Sequence, residues 1–334
     1  MIKVGVLRGG SSPEYGVSLK TGEHILRYLR EEPLSNKYEA IDILIDREGV
    51  LHYKGLAIPM ERLPHLVDVI INALHGYYGE DGKIQNEFEK LGLKYTGSGP
   101  FASAVGMNKV LAKEEFAKHG INAPMHIIMP SWHTANTKLS LDEYVKYFTQ
   151  YIFQKMPPPW VIKPVSSGSS DRVSLAKTLP VLEQILFMFS EDEDDLMVEE
   201  HIEGREVSVG IVEGLRGENL YNTPIVEIRK PKQSIFSYSH KYEEPTARAL
   251  GKFTEQEKQN ITDTAKLVHK HLGLSQYSET DMILHPRRGI YVLEVNTLPG
   301  LTETSLLPYA LDSVGVSMSE FIEHLIQTAE LKSK

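Results

Sequence analysis

The chain has 334 residues, of which 41% are hydrophobic and 24% charged, and a formal net charge of −9 at pH 7. This size suits two or three domains with a substantial core, and the acidic balance argues against bulk nucleic-acid binding. The lack of cysteine excludes disulfides and thiolate chemistry, and we see neither a signal-peptide pattern nor an apolar run of about 20 residues, so we expect a cytoplasmic enzyme.

The N-terminal part predicts an α/β layer. A short apolar strand over residues 2–7 leads through a glycine–serine loop into a helix over residues 17–29. A second buried strand, residues 69–74, ends in the glycine-rich residues 75–82. Because open α/β sheets bind ligands between strand ends and helix starts, His75 is a candidate for orienting a ligand, although a lone histidine is more often structural.

The next segment predicts a linker and two helices. Residues 97–102 spell G-x-G-x-x-A, but the proline at the fourth position favours a linker, and we place the first domain boundary here. One helix is predicted from about residue 102 to 119, and it carries Lys109. Ser140 and Glu143 have capping-box spacing, which marks the start of the next helix.

Residues 159–175 predict a strand, a serine–glycine loop and a second strand. Lys163 at the end of the first strand and the amides of residues 168–170 offer a point charge and a row of N–H donors, which suit a phosphate chain. An exposed hairpin turn is the alternative. No Walker A sequence occurs in the chain, so a P-loop nucleotide hydrolase is excluded.

Residues 196–211 again predict strand, loop and strand, with acidic side chains at Glu199, Glu200 and Glu206. These carboxylates suit ribose hydroxyls or a metal-bound water, and they are equally ordinary as surface charges. Residues 230–244 are polar and aromatic without a regular period, which favours a mobile lid.

Residues 277–296 predict a hairpin with a four-residue loop. Strict alternation in the second strand puts Val292 on the same face as Glu294 and Asn296. Val295 then takes the opposite face.

The same hairpin sets Asp281 opposite Glu294, and Glu279 opposite Asn296. Two carboxylates and an amide oxygen therefore converge on one patch. Hard divalent cations prefer oxygen ligands, and Mg²⁺ usually takes one or two carboxylates and shares its remaining positions with phosphates. A solvated outer face of the hairpin is the alternative.

Two further helices are predicted in the C-terminal part. Thr254 and Glu257 have capping-box spacing at the start of one, which stops at Gly273. The other runs from Ser317 to about Leu331, and its apolar face predicts that it closes the domain.

Several stretches carry a resemblance to a known family. In chain order they are the glycine–serine loop with Val17-Ser-Leu19, His75-Gly-x-x-Gly-Glu-Asp-Gly-x-x-Gln85, Ala102-Ser-Ala-x-x-Met-Asn-Lys109, Val161-Ile-Lys-Pro with Gly168-Ser-Ser170, Val198-Glu-Glu-x-x-x-Gly-x-Glu206, Lys241-Tyr242, and Glu294-Val-Asn-Thr-x-Pro-Gly-x-Thr302 with Ser305. Each is weak alone. Together and in this order they resemble the ATP-grasp carboxylate–amine ligases, and among them the D-alanine–D-alanine ligases, over essentially the whole chain.

The resemblance implies an α/β (α+β) chain with the three-domain ATP-grasp fold. Residues 1–98 would form a Rossmann-like parallel α/β domain and residues 99–203 the central subdomain. Residues 204–334 would form the C-terminal subdomain with the metal site and the lid.

The resemblance also implies which residues bind ATP. Lys109 and Lys163 would hold phosphates, beneath the loop at residues 168–170. The other implied contacts are Glu199, Glu200 and Ile202 at the adenine, Glu206 at the ribose, and Ser169, Ser170 and the lid residue Lys241 at the phosphates. Asp281, Glu294 and Asn296 match the magnesium ligands of the family, with two metal sites implied and Mn²⁺ as an alternative ion.

In the family, ATP phosphorylates the carboxylate of a first D-alanine, and the amine of a second attacks the acylphosphate, which gives D-alanyl-D-alanine for the cell wall. The residues implied at the amino acids are Leu19, His75, Gly300, Ser305 and Leu306, and those implied in catalysis are Ser169, Lys241, Tyr242 and Gly300. The partners implied are these small molecules, without nucleic acid or membrane, and a homodimer is left open.

Three positions depart from the family pattern. Gly16 stands where the family usually has an acidic residue for the first ammonium, and Glu279 where it has an oxyanion-binding arginine. Asp171 and Arg172 replace a small pair in the phosphate loop. We hypothesise that Glu279 is an extra metal ligand, or that Arg172 replaces the positive charge of the absent arginine. The alternative function is a diverged ATP-binding protein that ligates other substrates or has lost ligation.

Overall fold

A computed structural model of the chain describes residues 1–166, 172–192, 194–229 and 247–332. Three β-sheets, one after another along the sequence, organise these residues. Within the described ranges, the helices are too short or too polar for any of them to cross a membrane.

The first sheet is mainly parallel, as the N-terminal pattern predicted. Its strand order is β4-β3-β2-β1-β5-β6, and β1 lies between β2 and β5 with parallel pairing on both sides. The strands are β1 (Ile2–Gly9), β2 (Tyr38–Ile45), β3 (Leu51–Tyr53), β4 (Leu56–Ala57), β5 (Val69–Asn72) and β6 (Lys94–Tyr95). The loops after β1 and β5 therefore leave the same edge of the sheet.

The second sheet is antiparallel, with the order β7-β10-β8-β9. Its strands are β7 (His126–Met129), β8 (Trp160–Pro164), β9 (Ser174–Ala176) and β10 (Leu196–Glu200). The apolar core of this sheet is built around the buried ring of Trp160.

The third sheet is also antiparallel and runs β14-β13-β11-β15-β16, with β12 paired to β11. Its strands are β11 (Arg205–Glu213), β12 (Leu220–Asn222), β13 (Val226–Arg229), β14 (Ala247–Leu250), β15 (Tyr277–His285) and β16 (Gly289–Asn296). The helices of the described chain are α1 (Tyr15–Arg30), α2 (Leu63–Leu66), α3 (Lys83–Lys90), α4 (Pro100–Met107), α5 (Lys109–Lys118), α6 (Leu141–Lys155), α7 (Leu179–Phe189), α8 (Glu255–His271), α9 (Leu306–Asp312) and α10 (Met318–Leu331).

The β15–β16 hairpin has the predicted pairing but a different turn. His285 pairs with Gly289, so the loop contains three residues and not four. A β-bulge at Leu293 adds one residue to β16 and restores the predicted register beyond it. The bulge also breaks the alternation, because Val292 and Val295 both enter the same core. The prediction that Val292 shares a face with Glu294 was therefore wrong.

The single helix predicted from residue 102 to 119 is two helices. Asn108 ends α4 with an extended backbone, and its side-chain oxygen accepts hydrogen bonds from the backbone N–H groups of Val110 and Leu111, which begins α5. Asparagine is a strong N-cap residue, so this local competition outweighs continuation of the helix. The capping boxes predicted at the starts of α6 and α8 are both confirmed.

The last helix returns to the first sheet. Phe321 and Leu325 of α10 lie in one apolar cluster with Val4 of β1 and Ile25 of α1. Lys94 on β6 donates from its side chain to the backbone oxygen near the end of α10 at 2.6 Å. Although α10 is far from β1 in the sequence, it therefore packs against the sheet that contains β1.

Candidate functional site

Two buried lysines share one buried carboxylate beside the second sheet. Glu199 on β10 lies 2.9 Å from the Nζ of Lys163 on β8 and 3.0 Å from the Nζ of Lys113 on α5. Burial opposes ionisation of Glu199, but the two lysines outweigh it and lower the pKa of the carboxyl group. Burial also lowers the pKa of Lys113, although the attraction of Glu199 opposes this shift. With both lysines protonated, the three groups carry one net positive charge, which suits an anionic ligand.

Lys109 approaches the same place from the start of α5. Its backbone N–H donates to the oxygen of Val165 at 3.3 Å, directly after β8, and the residue is buried. Lys113 follows one helical turn later and was not predicted from the sequence. Its signal is the spacing of four residues from Lys109, which puts both side chains on one face of a helix.

Glu199, which was also predicted at the adenine, has its carboxylate held by Lys113 and Lys163 instead. The other residues predicted at the adenine and ribose lie at the junction of the second and third sheets. Ile202 and Glu206 are buried there. The carboxylate of Glu200 is held by Arg288 at 3.0 Å and accepts the N–H of Met125 at 3.1 Å. Its backbone N–H also donates to the oxygen of Met125 at 2.9 Å, so both the carboxylate and the N–H of Glu200 are engaged within the protein.

The predicted metal ligands lie at adjoining positions of β15 and β16. Asp281 pairs directly with Glu294, and Asn296 lies two residues further along the same strand. Asp281 is buried, whereas Glu294 and Asn296 are half-buried. Within the described ranges, His, Asp and Glu side chains form no group of three or more suited to a metal. An ion here would therefore complete its shell with the amide of Asn296 and with ligand oxygens.

His75 lies where the first sheet meets the loop between β16 and α9. Its Nε2 is 2.9 Å from the hydroxyl of Thr21 on α1, and the ring also bonds to the backbone of Leu298. Burial lowers the pKa of His75 to about 4. The ring is therefore neutral at pH 7.

Glu80 is a further buried group that the sequence did not single out. Burial, with the nearby Glu14 carboxylate, raises the pKa of Glu80 to about 8. One of its oxygens accepts the N–H of Gly76 at 2.7 Å. Since Glu80 also interacts with the backbone of Leu298 and the charge of Glu294, it belongs to the same site as the predicted metal ligands.

The loop between β16 and α9, hereafter the β16–α9 loop, carries the predicted residues Gly300 and Ser305. A Cβ atom at Gly300 would lie only 2.8 Å from the Oγ of Ser305, so any larger residue would displace the Ser305 side chain. The Oγ of Ser305 accepts the N–H of Thr302 at 3.1 Å. Leu306, directly after Ser305, and Leu19 on α1 are half-buried.

The structure shows different surroundings for the residues that depart from the family pattern. Gly16 is exposed, and a Cβ atom added to it would meet nothing within 4 Å. Glu279 is buried opposite Asn296. Arg172 forms ion pairs with Asp192 and Asp194, so its charge is already shared by two carboxylates. The hypothesis that Arg172 supplies the missing cation therefore loses its support.

Four predicted residues lie outside the described residues and stay predictions. They are Ser169, Ser170, Lys241 and Tyr242. The remaining predicted residues come from all three sheets and from the connections between them.

Sequence comparisons identify relatives along the whole chain. The family described as D-ala D-ala ligase C-terminus matches residues 123–327, and the one described as D-ala D-ala ligase N-terminus matches residues 52–98. A D-alanine--D-alanine ligase from Geobacter sulfurreducens is 32% identical, over 99% of this chain and 95% of its own length. The D-alanine--D-alanine ligase from Aquifex aeolicus is 33% identical, over 97% of this chain and 100% of its own.

Solved structures have the same fold. The D-alanine--D-alanine ligase from Bacillus anthracis complexed with ATP superposes with a TM-score of 0.77 at 29% identity, covering 98% of this chain and 97% of that one. The VanG D-Ala:D-Ser ligase from Enterococcus faecalis gives 0.79 at 26% identity, covering 98% and 99%. The fold is therefore the α/β ATP-grasp fold expected from the sequence. With both family regions and full-length relatives matched, the chain belongs to the D-alanine–D-alanine ligase family.

Proposed function

We propose that the protein is an ATP-dependent ligase that joins two D-alanine molecules into D-alanyl-D-alanine for peptidoglycan synthesis, with release of ADP and phosphate. ATP phosphorylates the carboxylate of the first D-alanine, and the amine of the second attacks the acylphosphate. Relatives of this name match 97–99% of the chain at 32–33% identity. This breadth favours an active ligase over a nucleotide-binding relative that has lost its chemistry.

The register of β15 and β16 is the observation that carries the proposal. It sets the carboxylates of Asp281 and Glu294 side by side, in a protein that also holds Lys163 and Lys113 around one buried glutamate. Phosphoryl transfer depends on positioning and on neutralising the phosphate charge, by cations and by metal ions held on carboxylates. The paired carboxylates and the buried lysines therefore support the proposal.

The donor set of the hairpin fits magnesium. Asp281, Glu294 and Asn296 present carboxylate and amide oxygens, which Mg²⁺ prefers, and they leave positions for phosphate oxygens. We assign these three residues to Mg²⁺, with Mn²⁺ as a substitute. Bound there, the ion would neutralise charge on the phosphates of ATP.

We assign the nucleotide to the space beside β8 and β10. Lys109 and Lys163 then contact phosphates, with Ser169, Ser170 and Lys241 closing from the segments outside the described residues. Lys113 acts through Glu199, because their ion pair fixes the carboxylate that also holds Lys163. We assign the adenine to the main chain around Glu200 and Ile202, and the ribose to Glu206.

The amino acids would bind where α1, the His75 loop and the β16–α9 loop meet. Leu19 and the neutral His75 line the place for the first D-alanine, and Ser305 and Leu306 receive the carboxylate of the second. Because Gly300 has no side chain, its amide N–H is accessible to the oxyanion that forms when the amine attacks.

Three further parts of the proposal concern the whole protein. We propose a division into residues 1–98, 99–203 and 204–334, with Tyr242 on the lid of the last unit. The reaction consumes ATP, so we propose the cytoplasm as its compartment. A homodimer is tested by light scattering on the purified protein.

The proposal is tested with purified protein, Mg²⁺-ATP and D-alanine. We expect phosphate release that depends on D-alanine, together with D-alanyl-D-alanine identified by mass. L-Alanine is the stereochemical control, and D-serine tests whether the second site accepts the substrate named for the Enterococcus relative. ATP binding without D-alanine-dependent phosphate release and without dipeptide would overturn the proposal.

A further inference from the structure

Arg248 on β14 holds the β16–α9 loop from outside the predicted site. Its Nη1 donates to the backbone oxygen of Thr304 and, at 3.0 Å, to that of Ser305. Its Nη2 is 3.4 Å from the backbone oxygen of Glu303. The guanidinium also lies over the ring of Tyr309, 4.7 Å from its centre. One side chain therefore fixes three successive carbonyl groups.

The positive charge of Arg248 is not neutralised by an acidic partner among the described residues. Its contacts are carbonyl oxygens and an aromatic ring. By contrast, Arg172, Arg205 and Arg288 each pair with a carboxylate. Arg248 thus brings a full charge to the β16–α9 loop, in a protein where Glu279 removes a cation from the neighbourhood of the metal ligands.

The direction of the contact matters. In a trans peptide the C=O group and the following N–H group point in opposite directions. Because the oxygen of Ser305 faces Arg248, the N–H of Leu306 faces away from it. A cation on the oxygen polarises the peptide and makes this N–H a stronger donor, since linked hydrogen bonds reinforce one another.

We propose that Arg248 is a positioning residue for the second amino acid, and that it acts through the peptide between Ser305 and Leu306. This inference rests on the proposed function, which assigns the second carboxylate to these two residues. Arg248 orients and polarises the peptide, so that the carboxylate finds a fixed and strengthened donor. The residue therefore favours acceptors that carry a carboxylate.

The experiment compares D-alanine with D-alaninamide as the acceptor, with D-alanine as the first substrate, and separates the products by mass. In Arg248→Gln we expect the KM for the second D-alanine to rise about tenfold, the equivalent of one charge-assisted hydrogen bond. The KM for ATP should stay unchanged. D-Alaninamide lacks the carboxylate, so its kcat/KM should fall much less, and Arg248→Lys should recover part of the loss.

Arg229→Gln is the matched control, because Arg229 lies on the neighbouring strand β13 and, among the described residues, its ion pair is with Glu227 at 3.9 Å. It should leave both acceptors unaffected. Equal losses for D-alanine and D-alaninamide would show that Arg248 only maintains the loop, and an unchanged KM for the second D-alanine would overturn the inference alone. If the unaltered protein makes no dipeptide, the proposed function fails and the inference fails with it.

Discussion

Asp281 lies directly opposite Glu294 even though the turn between their strands is one residue shorter than the sequence suggested. The bulge at Leu293 compensates for the shorter turn, and it also sends Val292 and Val295 into one core. Two carboxylates are thereby fixed side by side by a backbone irregularity. Bulges commonly aim side chains in this way next to active sites.

Replacing Asp281 tests the metal assignment. Asp281→Asn keeps the shape of the side chain but removes its charge, so we expect the affinity for Mg²⁺ in the presence of ATP to fall at least about tenfold. Calorimetric titration of Mg²⁺ into the ATP-loaded protein measures this. Unchanged Mg²⁺ affinity would exclude Asp281 as a ligand.

Glu279→Gln tests whether Glu279 is an additional ligand. Glu279 pairs with Asn296 across the hairpin, so a metal held at Asn296 would feel the loss of its charge. We expect a smaller reduction in Mg²⁺ affinity than for Asp281→Asn in the same titration. If Glu279→Gln binds Mg²⁺ as tightly as the unaltered protein, the hypothesis that Glu279 is an extra metal ligand is discarded.

The ion pairs of Glu199 predict a stability effect. Lys113→Met leaves a buried carboxylate with one cation, and removing one partner of a buried pair typically costs about 3 kcal/mol. Urea denaturation followed by circular dichroism measures the change. Lys118→Met is the matched control on the same helix, because Lys118 is exposed and pairs with Glu115 at the surface. Equal effects of both substitutions would contradict the buried-pair interpretation.

Glu80 predicts a pH dependence of stability. Its pKa in the folded protein is about 8 and its ordinary value is 4.5, so between these values the folded state binds more protons than the unfolded state. The stabilisation that protonated Glu80 provides is complete below 4.5, decreases as the pH rises above that value, and is lost once the pH passes 8. Glu80→Gln mimics the protonated form and should remove the wild-type loss between pH 6 and pH 9, which is roughly 3 kcal/mol.

The measurement for Glu80 is urea denaturation of both proteins at the two pH values. Near pH 6 the glutamine variant should already be the more stable, because wild-type Glu80 is ionised in the unfolded chain above 4.5, and near pH 9 its advantage should be larger. Parallel pH dependences would show that Glu80 ionises normally.

Gly16 predicts a gain of function. Gly16 is exposed, and a Cβ atom there would meet nothing within 4 Å. We therefore expect Gly16→Glu to be accommodated and its carboxylate to pair with the ammonium of the first D-alanine. We expect the KM for the first D-alanine to fall about tenfold. Gly16→Ala controls for the helix stabilisation that any replacement of glycine brings. Equal KM values in the two variants would mean that the first ammonium is bound elsewhere.

The sequence predicts local features well. Capping boxes at Ser140 and Thr254 begin helices as expected, because their hydrogen bonds involve residues only three apart. The hairpin register was also correct, since apolar patterns and turn residues restrict pairing. The split between α4 and α5 was missed, because the capping preference of Asn108 competed with a continuous helical pattern.

Contacts between distant segments were not predictable in the same way. Lys113 and Glu199 are 86 positions apart in the sequence (199 − 113) and meet only when α5 packs beside β10. The rise in the pKa of Glu80 depends on burial and on Glu14, neither of which a local pattern shows. The contact of Arg248 with the β16–α9 loop likewise needs the third sheet to be assembled.

The packing of α10 against the first sheet sets an order of events during synthesis. Strand β1 leaves the ribosome long before Phe321 and Leu325, which cover it. The nascent chain therefore exposes an apolar sheet face until α10 has been synthesised, and such faces bind chaperones or aggregate. A chain that stops before Met318 should for the same reason be recovered mainly in the insoluble fraction.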